Sequence, residues 1–120
     1  MSKGAFWFGV VVFLLLVFPI SVSAYEIDGK YVGPLAYKIL QCESSLRVDA
    51  DGDVTLKYPA KGIAQFQERT FNWMKHKAHK DHLTWLCYAD QVELLQWALR
   101  HHMGKYWTCY RILRPAVVIQ

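Results

Sequence analysis

Apolar residues in this chain fall into one unbroken block followed by three periodic stretches. The block runs from Ala5 to Ile20, behind Met1-Ser2-Lys3-Gly4 and ahead of the small residues Ser21-Val22-Ser23-Ala24. A basic start, an apolar centre and a small-residue end form the layout of a secretory signal peptide. A membrane-crossing helix needs about 20 apolar residues, whereas this block is shorter and contains Pro19. Cleavage after Ala24 is therefore expected over retention as an anchor. That leaves residues 25–120 as one exported domain, secreted or held in the periplasm or cell envelope, with no stable membrane span.

The first periodic stretch predicts a helix from Pro34 to about Ser44, because Gly33-Pro34 sets the proline at a first helical position. Ala36, Ile39 and Leu40 share one face, and Glu43 stands at i+7, i+4 and i+3 from them. An unbroken helix would lay the Glu43 carboxylate along that apolar face, where its charged form is disfavoured. A helix that frays earlier would leave it an ordinary exposed acid. Asp51-Gly52 then predicts a turn feeding a short strand.

Phe71, Met74 and Ala78 mark a second helix over about Glu68 to His79. A third carries Val92, Leu95 and Leu99 as a stripe, with Asp90 and Glu93 as an N-terminal capping pair and Gly104 placed to end it. Trp107-Thr108-Cys109-Tyr110 reads as a compact aromatic patch. The expected architecture is a mainly α, α+β domain: a few helices with a short hairpin or irregular segment between them.

Composition narrows the function. The chain has 120 residues, 53% of them hydrophobic, and a net charge of +4, which fits one small domain and excludes disorder. Removing residues 1–24 takes Lys3 with it and lowers the charge by one unit. A nucleic-acid binder gathers its cations on one face, but here the densest run, Lys75 to Lys80, interleaves them with histidine and precedes Asp81. No nucleic-acid partner is expected; a weakly basic exported protein drifts toward anionic cell envelopes.

Several constellations fail on spacing. Asp49, Asp51 and Asp53 suggest a calcium loop, yet the EF-hand positions for glycine and glutamate hold Val54 and Ala60. His76, His79 and His82 drift around a helix instead of converging, so no metal site is expected. A nucleophilic Cys42 paired with a histidine lacks any surrounding catalytic signature. Cys42, Cys87 and Cys109 allow one disulfide and one spare thiol after export, and spacing leaves all three pairings open.

What remains is an order of elements: Cys42-Glu43-Ser44-Ser45 closing a helix, then Gly62-Ile63-Ala64-Gln65-Phe66-Gln67 with Thr70-Phe71 behind it, a helix opening at Asp90-Gln91, and Trp107-Thr108-Cys109-Tyr110. From Tyr37 to Tyr110 the chain resembles the lysozyme-like superfamily, in particular small lytic transglycosylase and goose-type lysozyme domains.

The resemblance implies that a monomer without cofactors cleaves the β-1,4 bond between N-acetylmuramic acid and N-acetylglucosamine in peptidoglycan glycan strands. Glu43 would act first as acid and then as base. Ser44 would position it, Gln65 and Gln67 would hydrogen-bond the sugars, and Tyr110 would add a hydroxyl or a stacking face. A Cys42–Cys109 disulfide would pin the catalytic helix to the aromatic end of the domain. The chain departs from the family pattern at Ala98-Leu99-Arg100-His101-His102, where many transglycosylases carry Ala-Tyr-Asn-Ala-Gly, and at Lys61, where serine or tyrosine is common. That first departure keeps open a catalytically weak glycan-binding or structural protein.

Overall fold

A computed structural model describes residues 25–117, with side chains to 113; the expected signal segment lies outside them. The chain opens on a two-stranded antiparallel hairpin, β1 (Glu26–Ile27) and β2 (Lys30–Tyr31), paired Glu26 to Tyr31 and Ile27 to Lys30. Between them Asp28 and Gly29 adopt φ of 50° and 76°, the left-handed pair of a tight hairpin turn. The Tyr88 hydroxyl donates to the Asp28 carboxylate and ties the hairpin to the helical body.

Four helices follow: α1 (Pro34–Ser44), α2 (Glu68–Lys77), α3 (Tyr88–Arg100) and α4 (Thr108–Val117), with a 3-10 turn over Gly104–Tyr106 before the last. Pro34 starts α1, and Ser45 ends it in the left-handed region at φ 55°. The helix does not fray before Glu43. Its apolar face, Ala36, Ile39 and Leu40, is buried against α3 and α4. Phe71 and Met74 of α2 and Leu94, Leu95 and Ala98 of α3 complete one core, in which Phe66 meets Phe71 and Trp107 edge-on at 5.2 and 5.1 Å.

Three expectations change. Residues 54–58 turn repeatedly and form no strand; Asp51 bridges Lys61, and Lys61 in turn bridges Phe66. Asp90 does not cap α3, which begins two residues earlier behind Cys87. Its carboxylate instead reaches out to accept the Thr84 amide at 2.8 Å, while Glu93 pairs with Lys80 at 2.9 Å. Gly104 does not end α3 either. A side chain there would lie 2.5 Å from the Tyr110 ring, so the glycine makes room for that ring. Among the described residues no helix is long and apolar enough to cross a membrane.

Candidate functional site

A groove of about 400 Å³ opens where the end of α1, the irregular segment 52–67, the first turn of α2 and the start of α4 meet. Glu43 enters it from α1, half-buried, and its Oε1 accepts the Cys109 amide of α4 at 3.2 Å. Loss of hydration lifts the Glu43 carboxyl above its ordinary value, against a smaller opposite pull from that amide. The neighbouring residue, Cys42, is bonded to Cys109, with Cα atoms 6.0 Å apart. The covalent link and the carboxylate contact thus join the same two helix ends, and Cys87 is left free and exposed.

The opposite wall is the segment Lys61 to Gln67, and its shape depends on side chains far away in sequence. Gln91 of α3 is fully buried, and its amide accepts the Ala64 N–H at 3.0 Å and donates to the carbonyls of Lys61 at 3.0 Å and Trp85 at 2.7 Å. All hydrogen-bonding positions of that amide but one lone pair are thereby used. Gly62 has φ 90°, and a Cβ there would fall 2.4 Å from Gln91 Nε2; only glycine fits. The Trp107 indole donates to the Ala64 carbonyl at 2.8 Å. These bonds hold the apolar run Ile63-Ala64 in the core and turn Gln65 and Gln67 toward the groove.

Gln65 sits at φ 52°, a strained setting for a side chain that is not glycine. Its Nε2 donates to the carbonyls of Ala50 at 3.1 Å and Gly62 at 3.0 Å, so its donors serve the fold while the side chain lines the groove. Gln67 also lines it, with Nε2 donating to the Tyr58 carbonyl at 3.0 Å.

Ser44 and Tyr110 do not line the groove. The Ser44 hydroxyl is buried and lies 2.7 Å from the Ile63 carbonyl and 3.1 Å from that of Leu40, so it clamps the α1 terminus, next to Glu43, to the groove wall. Tyr110 packs on Gly104 outside the groove. Helical periodicity turns it away, and Tyr106, from the preceding turn, occupies the rim with Thr70 and Thr108.

Asp53 also reaches the groove, unlike Asp49 and Asp51. Thr55 donates to its carboxylate from both hydroxyl and backbone, which lowers its pKa. The two acids that line the groove are thus displaced in opposite directions, Glu43 by burial and Asp53 by the local bonds from Thr55.

Sequence reasoning missed Gln91, Trp107 as a groove wall, and Tyr106. The signal for Gln91 was present: it precedes Leu94, Leu95 and Ala98 at i+3, i+4 and i+7, a polar residue on an apolar stripe. His101 of the divergent segment bonds back to the Trp97 carbonyl at 2.8 Å and lies off the groove. Among the described residues no group of three or more His, Cys, Asp or Glu is placed to hold a metal ion.

No protein-family model, curated protein or solved structure matches the chain. The functional reading therefore rests on the groove and its chemistry.

Proposed function

We propose that this protein is an exported, lysozyme-like enzyme that cleaves the β-1,4 bond between N-acetylmuramic acid and N-acetylglucosamine in peptidoglycan, with lytic transglycosylase chemistry. The observation that carries the reading is Glu43: a half-buried carboxyl with raised pKa at the end of a helix, in a groove bordered by amide, hydroxyl and aromatic side chains. A general acid working near neutral pH needs that displacement. Hydroxyls both donate and accept, and the amide oxygens of Gln65 and Gln67, whose Nε2 groups bond the backbone, suit the N–H and O–H donors of N-acetyl sugars.

Protonated Glu43 gives its proton to the glycosidic oxygen as the bond to the anomeric carbon breaks. The resulting carboxylate then takes the proton of the same sugar's 6-hydroxyl, whose oxygen closes on the anomeric carbon as a 1,6-anhydro ring. No water is consumed, and Glu43 ends protonated as it began. The Cys109 amide stabilises the carboxylate between the two steps. Asp53 favours one competing reading, in which an ionised second carboxylate orients a water and the outcome is hydrolysis.

Mass spectrometry of products from purified peptidoglycan separates these outcomes. Fragments one water lighter than hydrolytic products, absent with Glu43→Gln, establish the transglycosylase; ordinary reducing ends establish a hydrolase. Folded protein that binds glycan and yields no Glu43-dependent product is a binding protein instead. The disulfide fits an oxidising compartment and so supports export.

A further inference from the structure

Next to the groove lies a second cavity of about 610 Å³, and Gln67 lines both. Its wall carries Lys57, Lys61 and Arg69 against a single acid, Glu68. Among the described residues the ion pairs are His76 with Asp81 and Lys80 with Glu93, so none of these three cations is neutralised within the fold. Like charges gathered on a concave wall produce a local positive potential that draws in anions.

Two aromatic rings share the wall. Trp85 is half-buried, and its indole N–H is held by the Phe66 carbonyl at 2.8 Å, which fixes the ring plane. Tyr58 is 67% exposed, with Lys57 Nζ 5.4 Å from its ring centroid. The cavity is thus cationic and aromatic together. A phosphate polymer would use the cations and leave the rings idle. A peptide with free carboxylates and short apolar side chains would use both.

We infer that this cavity binds the carboxylate-bearing peptide substituent of the glycan strand, making the enzyme selective for peptide-substituted over bare glycan. The inference rests on the glycan-cleaving assignment of the adjoining groove. A substituent on a sugar seated against Glu43 needs only to pass Gln67 to reach Lys57, Lys61 and Arg69. Because it is tethered, its local concentration is high and modest contacts suffice.

The test measures binding, so it reads independently of turnover. Oxidised Glu43→Gln protein is titrated with glycan strands carrying their peptides and with the same strands stripped by an amidase. Expected is roughly tenfold tighter binding of the substituted strands, from charge contacts with exposed Lys57 and Arg69 and half-buried Lys61. Most of the preference should be lost in Lys57→Gln/Arg69→Gln protein, whose two substituted side chains lie outside the groove and whose affinity for stripped strands stays unchanged.

Equal affinity for both strands, no affinity for either, or a preference that survives the double substitution undiminished overturns the inference. So does displacement of the substituted strands by a glycerol-phosphate polymer but not by free acidic peptide. Cleavage by the unsubstituted protein is scored separately. Glycan that is bound with the expected preference but never cut refutes the catalytic assignment and leaves the peptide cavity standing.

Discussion

Replacing Gln91 with leucine tests whether the groove wall depends on one buried amide. Leucine has nearly the same volume, so the change removes hydrogen bonds without opening a large cavity. Three backbone groups are affected: the Ala64 N–H and the carbonyls of Lys61 and Trp85. They do not suffer equally, because Lys61 O still accepts the Phe66 amide at 3.2 Å. The Ala64 N–H, on a residue with no exposed surface, loses its partner outright.

A buried group left unpaired costs about 1–3 kcal/mol. One full loss, with smaller ones at the Lys61 carbonyl, which keeps a partner, and at the carbonyl of half-buried Trp85, which water can reach, therefore predicts about 2–4 kcal/mol for Gln91→Leu. For a domain of this size each kcal/mol moves the melting midpoint by about 4–8 °C, so the expected drop is roughly 10–30 °C. Thermal unfolding of the oxidised protein followed by circular dichroism measures it. Gln96→Leu is the comparison, since Gln96 Oε1 accepts a single amide, that of Gly33, at 3.1 Å; about 1 kcal/mol is expected there. A Gln91→Leu midpoint equal to that of Gln96→Leu would refute the account of the wall.

Gly62→Ala attacks the same contact from the other side and should destabilise by at least about 2 kcal/mol, through positive φ and collision with the Gln91 amide; a urea titration measures it. The Cys42–Cys109 bond closes a stretch of 67 residues, for which chain entropy gives about 4 kcal/mol. Cys42→Ser/Cys109→Ser protein should lose that much, whereas Cys87→Ser should melt like the parent.

Glu43 has its pKa raised above the ordinary 4.5 by burial, so the native state holds that proton more tightly than the unfolded chain. This stabilisation is complete below about pH 4.5 and disappears as pH rises through the folded-state value. Glu43→Gln should therefore melt with the parent in acid and above it at neutral pH, and a difference independent of pH would contradict the assignment. Cleavage should decline on the alkaline side through the same ionisation.

Local pattern was enough for α1 and α2, whereas α4 is a helix where the sequence showed only an aromatic patch. Gly33-Pro34 and the spacing of Ala36, Ile39 and Leu40 define α1 to its last residue, and Phe71 with Met74 places α2. Both follow from short-range rules of proline position and helical period. The hairpin is written just as locally, in the Asp28-Gly29 turn dipeptide. The same rules misplace the start of α3, because Asp90 has a partner outside the helix at Thr84 that no local spacing reveals.

The groove was legible only in part. Glu43, Gln65 and Gln67, candidates that the resemblance supplied, line it: Glu43 because α1 continues past it, and the two glutamines because Gln91 and Trp107 hold the backbone of their segment. Ser44 and Tyr110 were candidates through the resemblance, and a motif match says nothing about which way a side chain turns once its helix is docked. The Ile63 carbonyl, 19 residues away, claims the Ser44 hydroxyl, and Gly104 receives the Tyr110 ring. Gln91 and Trp107 reach the Ala64 backbone across 27 and 43 residues. Helical period and turn chemistry act over a few residues and are written in the chain. The pairing of buried polar groups is settled across the core, after the helices have packed.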